Sequence, residues 1–374
     1  MPSSSTQTQH ASAKQLTRIE HLKLGSVFIT SFVLAVVSLV TGYFSAPEKR
    51  PPTKKRQFYY TLMREVPARL SPSQLHASFP TTDEQYTLLC KNHSIVTSSE
   101  ILEDGTTVAH WIGQSSAENI IIYFHGGGYV LPAMDSHLNL MFQMQSMLSK
   151  AGKDVAVLFL SYDLAPVAKY PRQLQQAAFL LDHTINTLGK APENIIVYGD
   201  SGGGNLATAL ISHILHPHPS TSIPIKPIIL ANPLRGMILQ SPWLSFSGTS
   251  KSFRENEPKD FFSPRASFRW SKAFLGDSPP HASSADNYNQ ALIAPPEWWE
   301  DIPVKDVLIT AGKDEIISDD IVGFADRLCS VKKEVEFLLA EREAHGAPTL
   351  DLGIPFKDTG QQTKKVREWL IEKF

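Results

Sequence analysis

A serine set among glycines, Gly199-Asp200-Ser201-Gly202-Gly203-Gly204, follows the apolar run 194–198 and precedes Asn205-Leu206-Ala207-Thr208-Ala209-Leu210. This is a G-x-S-x-G segment between a strand pattern and a helix pattern. At such an elbow the serine backbone is strained, so its neighbours must be nearly free of side chain to clear both elements. The elbow lifts Oγ into open space, and the N-terminus of the following helix faces developing negative charge. The chemistry that fits is nucleophilic attack on a carbonyl carbon.

A second glycine run, His125-Gly126-Gly127-Gly128-Tyr129, follows the strand pattern ending at Tyr123-Phe124. Three glycines alone can be a flexible turn. Between a strand and a helix, ahead of the serine, they form a loop suited to aiming backbone N–H groups at an oxyanion. Gly127 and Gly128 are the expected donors, with Gly202 as the third. Gly126 and His125 are expected to support the loop, His125 without moving protons.

A base and an acid are then needed downstream. The histidines beyond Ser201 are His213, His216, His218, His281 and His345. The first three come too soon to leave room for an intervening acid, and His281 sits in an irregular insert. His345 follows the apolar run 335–339 in the loop Glu341-Arg342-Glu343-Ala344-His345-Gly346, which makes it the expected general base. Between them, the run 307–311 ends in Gly312-Lys313-Asp314-Glu315, and either adjacent carboxylate can orient an imidazole and stabilise its charged form. Asp319 and Asp320 read as charges at the start of the next helix.

These groups need a scaffold. Strand-like runs at 120–124, 155–161, 194–198, 236–240, 307–311 and 335–339 alternate with helical patterns at 131–149, 171–188, 204–215, 318–328 and 361–374. The alternation predicts a layered α/β fold, with a mainly parallel sheet and helices on both faces. Two segments break the rhythm. Residues 216–234, rich in Pro, Ile and His, read as a surface excursion. Residues 245–300, rich in Pro, Ser, Phe and Trp, read as an insert over the sheet, suited to a lid or a substrate pocket.

The chain of 374 residues can bury a large core. Its formal charge of -2 gives no electrostatic reason to expect a nucleic-acid partner. No metal-ligand cluster or nucleotide loop occurs, so neither metal nor cofactor is expected. The two cysteines, Cys90 and Cys329, lack metal-ligand spacing and are compatible with a pair or with free thiols. Residues 1–23 read as a polar, unstructured start. Residues 24–44 carry no charge, and as a helix they span about 30 Å, the hydrocarbon thickness of a bilayer. Basic residues flank the run on both sides, so a membrane-spanning signal-anchor is expected. Residues 45–70 form a basic linker and a cap-type helix with an aromatic face, leaving 71–374 as the catalytic domain.

With these motifs in place, the chain resembles the hormone-sensitive lipase-like family of α/β-hydrolases, most of all its fungal branch of steryl acetyl hydrolases. The likeness runs from about Glu118 to the C-terminus. It includes Ser161-Tyr162-Asp163-Leu164-Ala165-Pro166 with Tyr170-Pro171, Ser241-Pro242-Trp243 and Trp298-Trp299. It implies the α/β-hydrolase fold and hydrolysis of a carboxylic ester, with a short acyl ester of a lipophilic alcohol such as a sterol as substrate. A bacterial G-x-D-P-L-x-D register would make Asp314 the acid; the fungal register favours Glu315. An amidase, peptidase or acyltransferase could use the same triad, and a non-catalytic binding protein could keep the fold. The likeness also implies an endoplasmic-reticulum membrane with a lumenal catalytic domain. The excess of Lys and Arg after the apolar run argues instead for the cytosolic side, while the sequon Asn92-His93-Ser94 is usable only in the lumen.

Overall fold

The computed structural model describes residues 17–276, 286–354 and 359–374. Its centre is a sheet of β1 (Ser99–Ile101), β2 (Val108–Ile112), β3 (Asn119–Phe124), β4 (Val155–Ser161), β5 (Ile195–Asp200), β6 (Leu234–Gln240), β7 (Val304–Gly312) and β8 (Val335–Ala340). The order is β1-β2-β4-β3-β5-β6-β7-β8, antiparallel across β1–β2–β4 and parallel from β4 to β8. All six strand-like runs of the sequence are strands. The antiparallel edge was not anticipated: β1 is three residues long, and β2 carries His110 in the middle of its apolar pattern.

The N-terminal helices are α1 (Arg18–Tyr43), α2 (Lys54–Arg69), α3 (Pro72–Ser78) and α4 (Thr82–His93). Among the strands lie α5 (Asp135–Lys150), α6 (Arg172–Asp182), α7 (Gly202–Leu215), α8 (Lys251–Glu255) and α9 (Pro264–Leu275). The chain ends with α10 (Ser318–Val331), α11 (Ala347–Gly353) and α12 (Gln361–Lys373). Successive strand side chains alternate between two apolar layers. Ile122, Val197 and Leu239 join Leu174, Leu210 and Phe324 on the side of α6, α7 and α10. Ile121, Ile196 and Ile238 join Met141, Val366 and Trp369 on the side of α5 and α12. This covered, mainly parallel sheet is α/β-hydrolase architecture, and α8 and α9 belong to the extra helical material over it.

Several boundaries differ from the expectation. The helix foreseen from Leu131 starts at Asp135, after Pro132. The one foreseen to Leu188 leaves α-geometry at His183 and continues as a π turn. Of the stretch 1–23, residues 1–16 and the side chain of Ile19 lie outside the described set. From Arg18 the chain is already helical, because Thr17 and Glu20 close a capping box. His281 also lies outside the described residues. Residues 216–233 form loops with mostly exposed or half-buried side chains, and Leu234 already begins β6. Cys90 is buried, Cys329 is exposed, and both are free.

Within α1, residues Glu20–Tyr43 contain an 18-residue window of mean hydropathy 2.2 and are long and apolar enough to cross a bilayer. The helix is docked on α2 along one narrow side. Ser31, Ala35 and Gly42 are buried there, the Gln57 side chain bonds the Ser38 carbonyl, and Phe32 meets Phe58 edge-on at 5.7 Å. Phe28, Ile29, Val33, Val37 and Val40 are exposed on the remaining surface.

Candidate active site

Ser201 joins β5 to α7 with φ 51° and ψ -116°, a conformation outside the ordinary regions for a side-chain-bearing residue. The surrounding structure holds it there. Ser201 N–H donates to Gln240 O at 3.0 Å, and Ser201 O accepts from Trp243 N–H at 3.0 Å. The flanking glycines are required by contact: a Cβ on Gly199 would lie 2.1 Å from Gly203 O, and one on Gly203 would lie 1.9 Å from Phe124 O.

His345 sits in the loop after β8, buried, with Nε2 2.7 Å from Ser201 Oγ and Nδ1 2.9 Å from Glu315 Oε2. Glu315 is fully buried and also accepts from Ser241 Oγ at 2.6 Å and from the Gly312 N–H. Burial works against a charged imidazole, but the Glu315 carboxylate outweighs it, with Asp260 and Asp200 adding to the same side. His345 is therefore held above the ordinary histidine value. Asp314, the other carboxylate the sequence left open, turns elsewhere. Its Oδ1 pairs with Lys259 Nζ at 2.8 Å, and its Oδ2 lies 3.5 Å from Arg342. The structure thus brings Ser201, His345 and Glu315 into one line and leaves Asp314 outside it. Asp319 and Asp320 lie in the first turn of α10.

The loop after β3 lies against the elbow. A Cβ on Gly202 would be 3.1 Å from Gly128 N, so the two segments touch backbone to backbone. Gly127 and Gly128 have φ of 102° and 56°, and Gly128 lies under the Trp270 ring. The N–H groups of Gly127, Gly128 and Gly202 make no hydrogen bond among the described residues, which leaves them available to an oxyanion. Gly126 N–H donates to Asp200 Oδ1 at 2.9 Å. The Asp200 carboxylate also accepts from Tyr123 OH at 2.5 Å and lies 3.3 Å from His137 Nε2. Burial opposes the Asp200 charge, yet His137 and Tyr123 keep its carboxyl below the usual range. Burial, with His137 nearby, depresses His125 to about 3. Its neutral ring stacks on Tyr162 at 4.2 Å, and Tyr162 OH donates to His125 O at 2.8 Å. His125 is thus packed into the base of the loop.

One participant escaped the sequence analysis. Asp260, fully buried in the insert, accepts from His345 N–H at 3.1 Å through Oδ1 and from Ile316 N–H at 2.8 Å through Oδ2. Burial, and the charge of Glu315, push its carboxyl up to about 6. It binds the backbones beside the base and the acid but touches neither reacting ring nor hydroxyl. A lone Asp in a Pro- and Phe-rich insert carries no spacing that marks it. Its neighbour Phe262 stacks on His345 at 4.9 Å.

Ser201 and His345 open into a cavity of about 480 Å³. Its walls are mainly apolar: Leu62, Met63 and Val66 come from α2, Phe262 and Trp270 from the insert, and Leu350 from α11. The helix α2 is fastened over the site at several points. Arg56 pairs with Asp351 at 2.7 Å and Arg64 donates to Glu257 O at 2.6 Å, while just ahead of the helix Arg50 O accepts from Arg342 at 2.8 Å.

Residues 121–349 match the alpha/beta hydrolase fold family. The chain belongs to that family. An esterase of Acinetobacter venetianus is 29% identical over 229 residues, covering 60% of this chain and 66% of that protein. Steryl acetyl hydrolase 1 of Saccharomyces cerevisiae is 24% identical over 213 residues, covering 54% of this chain and 46% of that protein. The chain thus spans about half to two thirds of the length of these relatives. Among solved structures, carboxyl esterase 2 of Tuber melanosporum superposes with a TM-score of 0.59 at 20% identity, covering 74% of this chain and 86% of that one.

Proposed function

We propose that this α/β-hydrolase is a serine esterase that cleaves carboxylic esters through Ser201, His345 and Glu315. The observation that carries the reading is the continuous relay from Ser201 Oγ through His345 to Glu315, with hydrogen-bond distances of 2.7 and 2.9 Å. His345 Nε2 takes the Ser201 proton as Oγ attacks the ester carbonyl. Gly127, Gly128 and Gly202 hold the oxyanion, while Glu315 fixes the imidazole tautomer and stabilises its positive form. Collapse of the tetrahedral intermediate breaks the bond to the leaving alcohol, which takes its proton from His345. Water then enters and gives a proton to His345 as it attacks the acyl carbon; collapse breaks the bond to Ser201 Oγ, which takes that proton back from His345 as the carboxylic acid leaves.

The apolar cavity supports a lipophilic ester, and the relative named steryl acetyl hydrolase supports an acetyl or other short acyl group on a sterol-like alcohol. The long apolar face of α1 supports attachment to a bilayer through residues 24–44. The family resemblance supports the endoplasmic reticulum with a lumenal catalytic domain, and the exposed position of Asn92 at the end of α4 is compatible with a glycan there. The decisive assay is hydrolysis of a panel of short-chain and sterol esters, with the matching amides, by wild type and Ser201→Ala. Turnover of esters that disappears in Ser201→Ala supports the reading. Preference for amides, or equal rates in both proteins, overturns it.

A further inference from the structure

Outside the cavity, four cationic side chains gather on one face around α9. Arg265, Arg269 and Lys272 follow each other on α9 at spacings of four and three, which places them along one stripe of the helix. Lys169 reaches the same stripe from the loop before α6: its Nζ is 3.4 Å from where a Cβ on Gly276 would stand. Lys169, Arg269 and Lys272, with Pro72, Pro166 and Ala273, wall a recess of about 290 Å³. Among the described residues, none of these four cations pairs with a carboxylate. Burial and the neighbouring charge of Arg265 both pull Arg269 below the usual arginine value.

Four unpaired cations on one face contrast with a chain whose formal charge is -2. They form a local field that selects anions. The rim is not purely polar: Val167 is 70% exposed and Phe268 is 42% exposed. Exposed apolar side chains beside Lys and Arg match the layered chemistry of a lipid surface, with phosphates outside and acyl chains beneath. The recess also communicates with the catalytic end. Arg269 donates to Ala68 O at 2.9 Å, on the last turn of α2, whose Val66 and Pro67 line the substrate cavity.

We propose that the α9 face is an anionic-membrane docking surface, with the Lys169–Arg269–Lys272 recess receiving a phosphate-bearing lipid headgroup. The inference rests on the reading of α1 as a membrane attachment. The docked face holds the domain against the bilayer with α2 beside the headgroups, so a lipophilic ester has a short path to the cavity.

The test is an amine-acylation footprint of the full chain reconstituted into vesicles, using a membrane-permeant reagent and mass spectrometry. One set of vesicles is phosphatidylcholine alone; the other has an equal part of phosphatidylserine. Lys169 and Lys272 are expected to label several-fold more slowly in the anionic vesicles. Lys150, on the opposite side of the sheet, is expected to be unaffected. High salt and Arg265→Glu should each relieve the protection. Equal labelling in both vesicles overturns the proposal, as does equivalent protection by inorganic phosphate in neutral vesicles, which would assign the recess to a free anion. The footprint reads binding alone, so it stands or falls apart from ester hydrolysis. Failure to float with vesicles of either composition would refute the attachment reading, whereas floating with both and equal labelling refutes only the docking surface.

Discussion

At the scale of single residues, the two adjacent carboxylates have opposite fates. Glu315 is aimed at His345, and Asp314 is paired with Lys259. Glu315→Gln is expected to lower kcat by about 10⁴-fold, as loss of the triad carboxylate favours the wrong imidazole tautomer. Asp314→Asn should retain most activity, because its contacts are with Lys259 and Arg342 and not with His345. Steady-state kinetics on one soluble ester checks both, and a larger loss from Asp314→Asn would reverse the assignment. The pH dependence provides a second check. The base must be neutral, and the folded state holds His345 above its ordinary value. Activity should therefore fall as pH drops through that raised value. Removing the Glu315 charge takes away the main favourable interaction of the imidazolium, so in Glu315→Gln the acid limb should move to lower pH. A limb that stays in place, or moves to higher pH, contradicts this account of the base.

At the scale of elements, the insert contributes through Asp260. It stitches the loop bearing His345 to the segment after Glu315. Asp260→Ala strands buried N–H donors, each costing roughly 1–3 kcal/mol. A lower thermal midpoint and a reduced kcat are expected, with little change in KM because Asp260 touches no substrate. Asp260→Asn keeps an acceptor oxygen and should recover part of both losses. Calorimetry and kinetics on the two variants separate a positioning role from simple disruption; an Asn variant as impaired as the Ala variant argues for disruption. The legibility of the sequence divides along similar lines. Ser201, the HGGG loop and His345 could be read because local turn geometry and chain order constrain residue types strongly. The fully buried parallel strands could be read from their continuous apolar runs. The edge strand β1 and Asp260 could not, because each takes its role from partners distant in the chain. The choice between Asp314 and Glu315 is likewise a matter of which way each side chain turns after β7, and no periodicity encodes that.

At the scale of the whole molecule, the apolar N-terminal helix and the catalytic domain meet at α2. A chain without residues 1–44 keeps Pro47 and Arg50, which bind Arg342, and Arg56, which binds Asp351. It is therefore expected to remain folded, to leave the membrane fraction and to hydrolyse short soluble esters. Fractionation combined with an ester assay checks this; loss of all activity in a folded truncated protein would make α1 part of the site. The same packing constrains how α1 can enter a bilayer. The partner helix carries Arg56, Arg64 and Glu65 alongside it, and charged side chains are costly in hydrocarbon. Full insertion of α1 thus requires its separation from α2, with loss of the Gln57 bond to Ser38 and of the Phe32–Phe58 contact.

The interlock at Gly203, whose missing side chain lets α7 rest directly on the carbonyl of Phe124, has a consequence for how such an enzyme can diversify. The parts that make and break bonds are bedded so tightly that not even a methyl group can be added between them. They cannot slide to suit a longer acid or a bulkier alcohol. Accommodation falls to the walls: α2, from near the start of the chain, and the segment holding Phe262 and Trp270, from a loop between β6 and β7. What those walls present to the cavity is side chain, so they can be redrawn residue by residue. A lineage built on this frame can change its diet while its chemistry stays still.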